Sequence, residues 1–189
     1  MTAIAARLTA EEFAQMEFGE DRAELVQGEV QLRPPSGFDH GKLSNKVARV
    51  LGNYVEPLRE GDVGGAETGF RLAQDTVRAP DAAFISNERL QQVRERTGQT
   101  RFPSFLPTAP DLAAEVVSPG DRADDINDKI ADYFEFGTRL VWFFYPSKRT
   151  VHVYTSPTQV RILTEADTLD GGEVLPGFSC AVREILSVL

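Results

Sequence analysis

The sequence predicts an α/β fold: a central mixed β-sheet flanked by helices, with extra N-terminal and C-terminal β-hairpin elements. Three observations predict it. The stretch from Arg139 to Tyr145 is an almost continuous apolar run, as expected of a central strand covered on both faces. Asp111 to Ser118 is a second such run, broken only by its acids. Between them, Ala123 to Phe136 carries apolar residues at helical spacing, so strand, helix and strand follow in the order of a crossover connection. A length of 189 residues favours one domain, 1–189, with a sizeable core.

The elements follow in order. Thr9 with Glu12 three residues later forms a capping box, opening a short helix that carries Phe13 and Met16 inward. Glu24 to Leu32 reads as two short strands around a turn near Gln27-Gly28. After the break Pro34-Pro35-Ser36-Gly37, a long helix is expected from about His40 to about Leu58, with Leu43, Val47, Val50, Leu51 and Tyr54 at helical spacing. Glu67 to Leu72 alternates weakly as a strand, and Asp81 to Ser86 is an apolar strand with an acid at its mouth. A connection of about twenty-five residues, helical around Glu88 to Arg94, leads to Asp111; connections of that length are often functional. In the helix from Ala123, Ile126, Ile130, Tyr133 and Phe134 make the buried stripe, and Gly137 stops it. Thr150 to Tyr154 is a hairpin partner of the Arg139 strand, with His152 expected to be exposed and Trp142 in the core. A short strand near Val160 to Leu163 and a tail ending in Ile185-Leu186 complete the chain.

Composition narrows the function. Hydrophobic residues at 41% and charged residues at 26% are ordinary for a soluble globular protein. A net charge of -9 argues against generic polyanion binding, because a phosphate backbone is repelled at long range. It leaves room for a nuclease, whose metal site needs acids. Cys180 is the single cysteine, so no intrachain disulfide forms, and a reducing, cytoplasmic setting is expected. No membrane span or signal peptide is expected either. The sequence has no Gly-x-Ser-x-Gly elbow, and Gly64-Gly65 lacks the Gly-Lys-Ser/Thr of a phosphate loop. Two distant histidines and one cysteine do not make a usual zinc site.

The informative residues are acids in apolar surroundings. Glu115 interrupts Leu112-Ala113-Ala114-Glu115-Val116-Val117, and burying a carboxylate there costs several kcal/mol unless cations or donors meet it. Asp81 heads the strand at Ala79-Pro80-Asp81, and Lys129 shares the inner stripe of the following helix, three residues after Ile126 and four before Tyr133. These parts suffice for metal-assisted phosphodiester hydrolysis. Asp81, Glu115 and the carbonyl of Val116 supply hard oxygen ligands for Mg2+ or Mn2+, and Lys129 supplies an amine beside the attacking water. Each residue also has a plainer reading: a turn acid for Asp81, an internal ion pair for Glu115, a snorkelling side chain for Lys129. Glu24, His40 and Glu67 are accessory candidates. Lys42, Lys46 and Arg49 form a basic stripe that either steers a phosphate backbone or is solvated.

Six segments in one order carry a resemblance: Glu24-Leu25-Val26-Gln27-Gly28-Glu29; Pro34-Pro35-Ser36 with His40-Gly41; Glu67-Thr68-Gly69-Phe70; Ala79-Pro80-Asp81; Glu115-Val116-Val117-Ser118-Pro119; and Lys129-Ile130-Ala131-Asp132-Tyr133. Together they resemble the Uma2 family, formerly a domain of unknown function, in the PD-(D/E)XK restriction-endonuclease-like superfamily. The resemblance runs from about Leu8 to about Phe178. It implies a restriction-endonuclease-like core with the acids on neighbouring strands, and a Mg2+-dependent endonuclease acting on DNA, often as a homodimer. The superfamily pattern puts a lysine two residues after the second acid. Here that residue is Val117, and Lys129 is the candidate to replace it from the following helix. The alternative function is a catalytically inactive nuclease-fold module that binds nucleic acid or a protein partner.

Overall fold

The computed structural model describes residues 7–19 and 21–189. Helices are α1 (Ala10–Phe13), α2 (Phe38–Leu58), α3 (Asn87–Thr97), α4 (Ala123–Glu135) and α5 (Val182–Ile185). Strands are β1 (Arg22–Val26), β2 (Glu29–Arg33), β3 (Gly61–Gly65), β4 (Phe70–Ala73), β5 (Thr76–Arg78), β6 (Ala82–Ser86), β7 (Leu112–Val116), β8 (Leu140–Tyr145), β9 (Thr150–Ser156), β10 (Gln159–Leu163), β11 (Thr168–Gly171) and β12 (Leu175–Ala181).

The central sheet has six strands in the order β10-β9-β8-β7-β6-β3, and its one parallel pair is β7 with β8. These two strands are joined through α4, the expected crossover. Because side chains alternate along a strand, β7 serves two layers. Leu112, Ala114 and Val116 join the core under α2, built on Leu43, Val47, Leu51 and Val55. Ala113 packs on the other face with Ile130 and Tyr133 of α4 and with Val141 and Phe143 of β8. Each such fully buried large side chain contributes about 1.5–3 kcal/mol relative to exposure. Glu115 falls on the α4 face by the same alternation. That parity is the reason a carboxylate in an apolar strand meets a lysine on a helix.

A second sheet, β2-β1-β5-β4, encloses its own small core of Ala10, Phe13, Leu25 and Val77. Its β1–β2 turn holds Gln27 and Gly28 at φ 49° and 80°, the left-handed pair that a two-residue hairpin with right-handed twist requires. Glu24 and Arg78 alternate with Leu25 and Val77 and so take the opposite face, toward α4.

Several expectations need correction. The Thr9–Glu12 capping box is present, but α1 ends at Phe13 and leaves Met16 43% exposed. The strand expected from Glu67 begins at Phe70. The short strands β3 and β5 and the hairpin β11–β12 carry too little alternation to be read from sequence; the hairpin covers the α2 core with Leu169, Leu175 and Phe178. His152 is half-buried, its ring 4.2 Å from that of Tyr145, because the neighbouring strand supplies an aromatic wall.

Candidate active site

Asp81, Glu115 and Lys129 line one cleft of about 440 Å³, with Glu24, His40, Arg22 and Arg33 around them. The register explains the first two. Ala82 pairs with Ala114 in the antiparallel β6–β7 ladder, so one further step sets Asp81 opposite Glu115. Both carboxylates are nearly buried, at 5% and 6% exposure. The Val116 amide donates to Asp81 Oδ2 at 2.8 Å, which holds that carboxylate at the strand end.

Glu115 is met from α4. Lys129 Nζ lies 2.9 and 3.0 Å from its two oxygens, and the Tyr133 hydroxyl donates to Oε1 at 2.6 Å. Lys129 and Tyr133 are four residues apart and therefore rise on one helix face. The ammonium also reaches Glu24 Oε1 at 3.4 Å. Glu24 in turn accepts from the Ala79 amide at 3.0 Å and from Arg78 at 3.2 Å. Arg78, itself buried, donates Nε and Nη2 to Asp132 at 2.8 and 2.5 Å. A continuous network thus ties the second sheet to α4 and positions Lys129 between two carboxylates.

Burial and charge set the protonation states. Burial lifts the Glu115 carboxyl above its usual range, and the Asp81 and Glu24 charges add to this while Lys129 and Tyr133 oppose it. Burial alone would lower Lys129, but Glu115 and Glu24 outweigh it and raise the ammonium above its ordinary value. Lys129 is therefore a fixed cation rather than a proton acceptor. Burial works against the ionised form of Asp81 too, yet the His40 hydrogen bond and charge, with the Val116 amide, bring it below its ordinary value. His40 Nε2 lies 3.4 Å from Asp81 Oδ2, and that bond raises the imidazole above its ordinary value against the effect of burial. The Ser44 hydroxyl, on the next turn of α2, donates to the His40 carbonyl at 2.9 Å and lies 3.2 Å from Nδ1.

The other expected residues are placed apart. Glu67 is 86% exposed in its side chain and 3.9 Å from Arg22, beside a neighbouring hollow rather than on the cleft floor. Lys42, Lys46 and Arg49 are absent from the cleft lining, which takes His40 from α2. Lys42 pairs with Asp39 at 2.9 Å. Sequence reasoning missed Arg22, whose Nη1 is 3.5 Å from Asp81, and the Arg78–Asp132 pair. It read Tyr133 only as an apolar stripe residue. A tyrosine one turn from an inward lysine was the available signal for a hydroxyl aimed at the same acid.

The donor set fits a hard divalent cation in kind, with a carboxylate at the head of β6 and a carboxylate and a backbone carbonyl on the neighbouring β7. Among the described residues, no three His, Cys, Asp or Glu side chains converge closely enough to enclose a metal by themselves.

A family profile described as "Uma2: Putative restriction endonuclease" matches residues 10–183. The chain belongs to the Uma2 family. Among solved structures, it is similar to one titled a putative nuclease belonging to DUF820 from Anabaena variabilis ATCC 29413. That match has a TM-score of 0.79 and 18% identity, covering 96% of this chain and 98% of that one. At this identity the likeness shows the fold alone. No curated protein matches the chain significantly. Among the described residues of this Uma2 chain, no helix is long and apolar enough to cross a membrane.

Proposed function

We propose that this Uma2 protein is a metal-dependent endonuclease that hydrolyses phosphodiester bonds, with DNA as its substrate. The observation that carries the reading is the convergence of Asp81, Glu115 and Lys129 on one cleft floor. Lys129 supplies from α4 the lysine whose place, just past β7, is taken by Val117. Mg2+ or Mn2+ bound by Asp81, Glu115 and the Val116 carbonyl would polarise the phosphoryl oxygen and acidify an attacking water. The protein's own groups do the rest. Lys129, kept as an ammonium by Glu115 and Glu24, stabilises negative charge developing on the phosphoryl group. Tyr133 and Glu24 hold that arrangement, so the charge is aimed before substrate arrives. Arg22 and His40 flank Asp81 and offset phosphate charge entering the cleft.

The test is a cleavage assay on plasmid DNA with Mg2+ or Mn2+, using wild type, Asp81→Ala and Lys129→Met. Expected are metal-dependent cleavage by wild type, no cleavage by Asp81→Ala, and lost cleavage with retained metal binding for Lys129→Met. A wild-type protein that binds neither ion at millimolar concentration and cuts nothing sinks the reading in favour of an inactive binding module.

A further inference from the structure

The cleft lip from Leu32 to Gly37 runs directly into Phe38, the first residue of α2. Phe38 is 82% exposed, and no large apolar side chain among the described residues is more so. Leu32, on the same lip, is 55% exposed and lines the cleft. Single exposed apolar residues are ordinary, but here two flank the entrance to a site built of carboxylates and cations. The Lys42 ammonium stands 5.0 Å from the Phe38 ring centroid, a cation–π contact one residue beyond the segment that lines the cleft. Arg33, also on the lip, is held by no short bond. Its Nη2 is 3.4 Å from Gln31 Oε1 and 3.9 Å from Glu24 Oε2, and its Nε has no hydrogen-bond partner. Arg33 and Lys42 are the cations there, each with one acid beside it: Glu24 at 3.9 Å from Arg33 and Asp39 at 2.9 Å from Lys42.

We propose that this lip reads single-stranded nucleic acid: an unpaired base stacks on Phe38, while Arg33 and Lys42 meet the phosphates beside it. An aromatic face backed by a cation, next to an underused guanidinium, has the chemistry of a base–phosphate repeat. Aromatic stacking needs a base whose face is free. Within a closed duplex each face is covered by its neighbours, so the lip engages single-stranded stretches, flaps or frayed ends. The nearly buried carboxylates point the same way, since one strand must descend to them. This proposal rests on the phosphodiesterase reading and names the substrate form for that site.

The experiment measures binding by fluorescence anisotropy in EDTA at low salt, so that no strand is cut. The probes are a labelled single-stranded oligodeoxynucleotide and the same sequence closed as a hairpin duplex. Wild type is expected to prefer the single strand. Phe38→Ala should weaken single-strand binding by about 5- to 150-fold and leave duplex binding unchanged. Phe38→Trp should bind as wild type and show emission quenched by the single strand, read against the buried Trp142 of wild type. Arg33→Gln should reduce the salt slope of single-strand binding by about 0.7. Equal losses on both probes, an unaffected Phe38→Ala, unquenched Phe38→Trp emission, or a wild type that binds neither probe overturns the proposal. Metal-dependent cleavage together with an unaffected Phe38→Ala removes the lip and leaves the nuclease standing. Phe38-dependent single-strand binding without cleavage under any divalent ion does the reverse.

Discussion

Replacing Lys129 with Met should destabilise the protein, and by an amount that grows with pH. Among the described residues, Lys129 is the one cation bonded to Glu115, and its side chain is only 14% exposed, so solvent screens the pair little. Removing one partner of a buried ion pair typically costs about 3–5 kcal/mol. The structure supplies an independent bound. Without the ammonium, Glu115 escapes its uncompensated charge by holding a proton, which costs at most about 1.4 kcal/mol for each pH unit above its ordinary 4.5. For Glu115 the ceiling is therefore about 5 kcal/mol at pH 8 and below about 1 kcal/mol at pH 5, while Glu24 keeps Arg78 and the Ala79 amide. The sign follows from the raised folded-state pKa: the penalty is absent below the unfolded value and increases as pH rises toward the folded one. Urea unfolding of wild type and Lys129→Met in EDTA at both pH values reads this directly. In a thermal melt at pH 8 the midpoint should fall by about 6–20 °C. Adding Glu115→Gln to Lys129→Met should recover most of the loss, because a neutral amide needs no counter-charge. A loss equal at both pH values, or an unchanged stability at pH 8, would refute the argument that the ammonium compensates Glu115.

Three further outcomes are expected. Arg78→Met strips the buried guanidinium from Glu24 and Asp132 and should cost about 3–5 kcal/mol, measured by chemical denaturation at neutral pH; a cost under about 1 kcal/mol would mean water or Lys129 already satisfies both acids. Mg2+ or Mn2+ should raise thermal stability by about 2.7 kcal/mol at a hundred times its dissociation constant, and Asp81→Asn should remove that gain in a melting series. In EDTA, the His40 imidazole should titrate above its ordinary value of 6.5, followed by NMR. Because its folded pKa is raised, the His40–Asp81 contact contributes fully below the unfolded value and is lost as pH climbs through the folded one. A His40 that titrates below 6.5 would contradict the pairing with Asp81.

The long periodic segments were legible because period alone defines them. The α2 stripe of Leu43, Val47 and Leu51, the α4 stripe of Ile130 and Tyr133, and the apolar run of β8 all stand where their spacing puts them. The acids Asp81 and Glu115 and the inward Lys129 were legible for a related reason: charge in an apolar pattern has to be met by something. The sequence did not say by what. Alternation put Glu115 on the α4 face, but only the β6–β7 register set Asp81 opposite it. Only the packing of the second sheet against α4 brought in Glu24, Arg78 and Asp132. Those contacts join residues more than fifty positions apart and run through Arg78 of β5, a three-residue strand too short to announce itself. By itself, the sequence determined that Asp81, Glu115 and Lys129 carry charge into apolar patterns, and that Glu115 and Lys129 lie on inward faces, because local period is a property of the chain. Their partners, and therefore the fixed ammonium of Lys129 and the cationic setting of Asp81, were decided by tertiary structure, because desolvation and charge pairing depend on neighbours that only folding supplies.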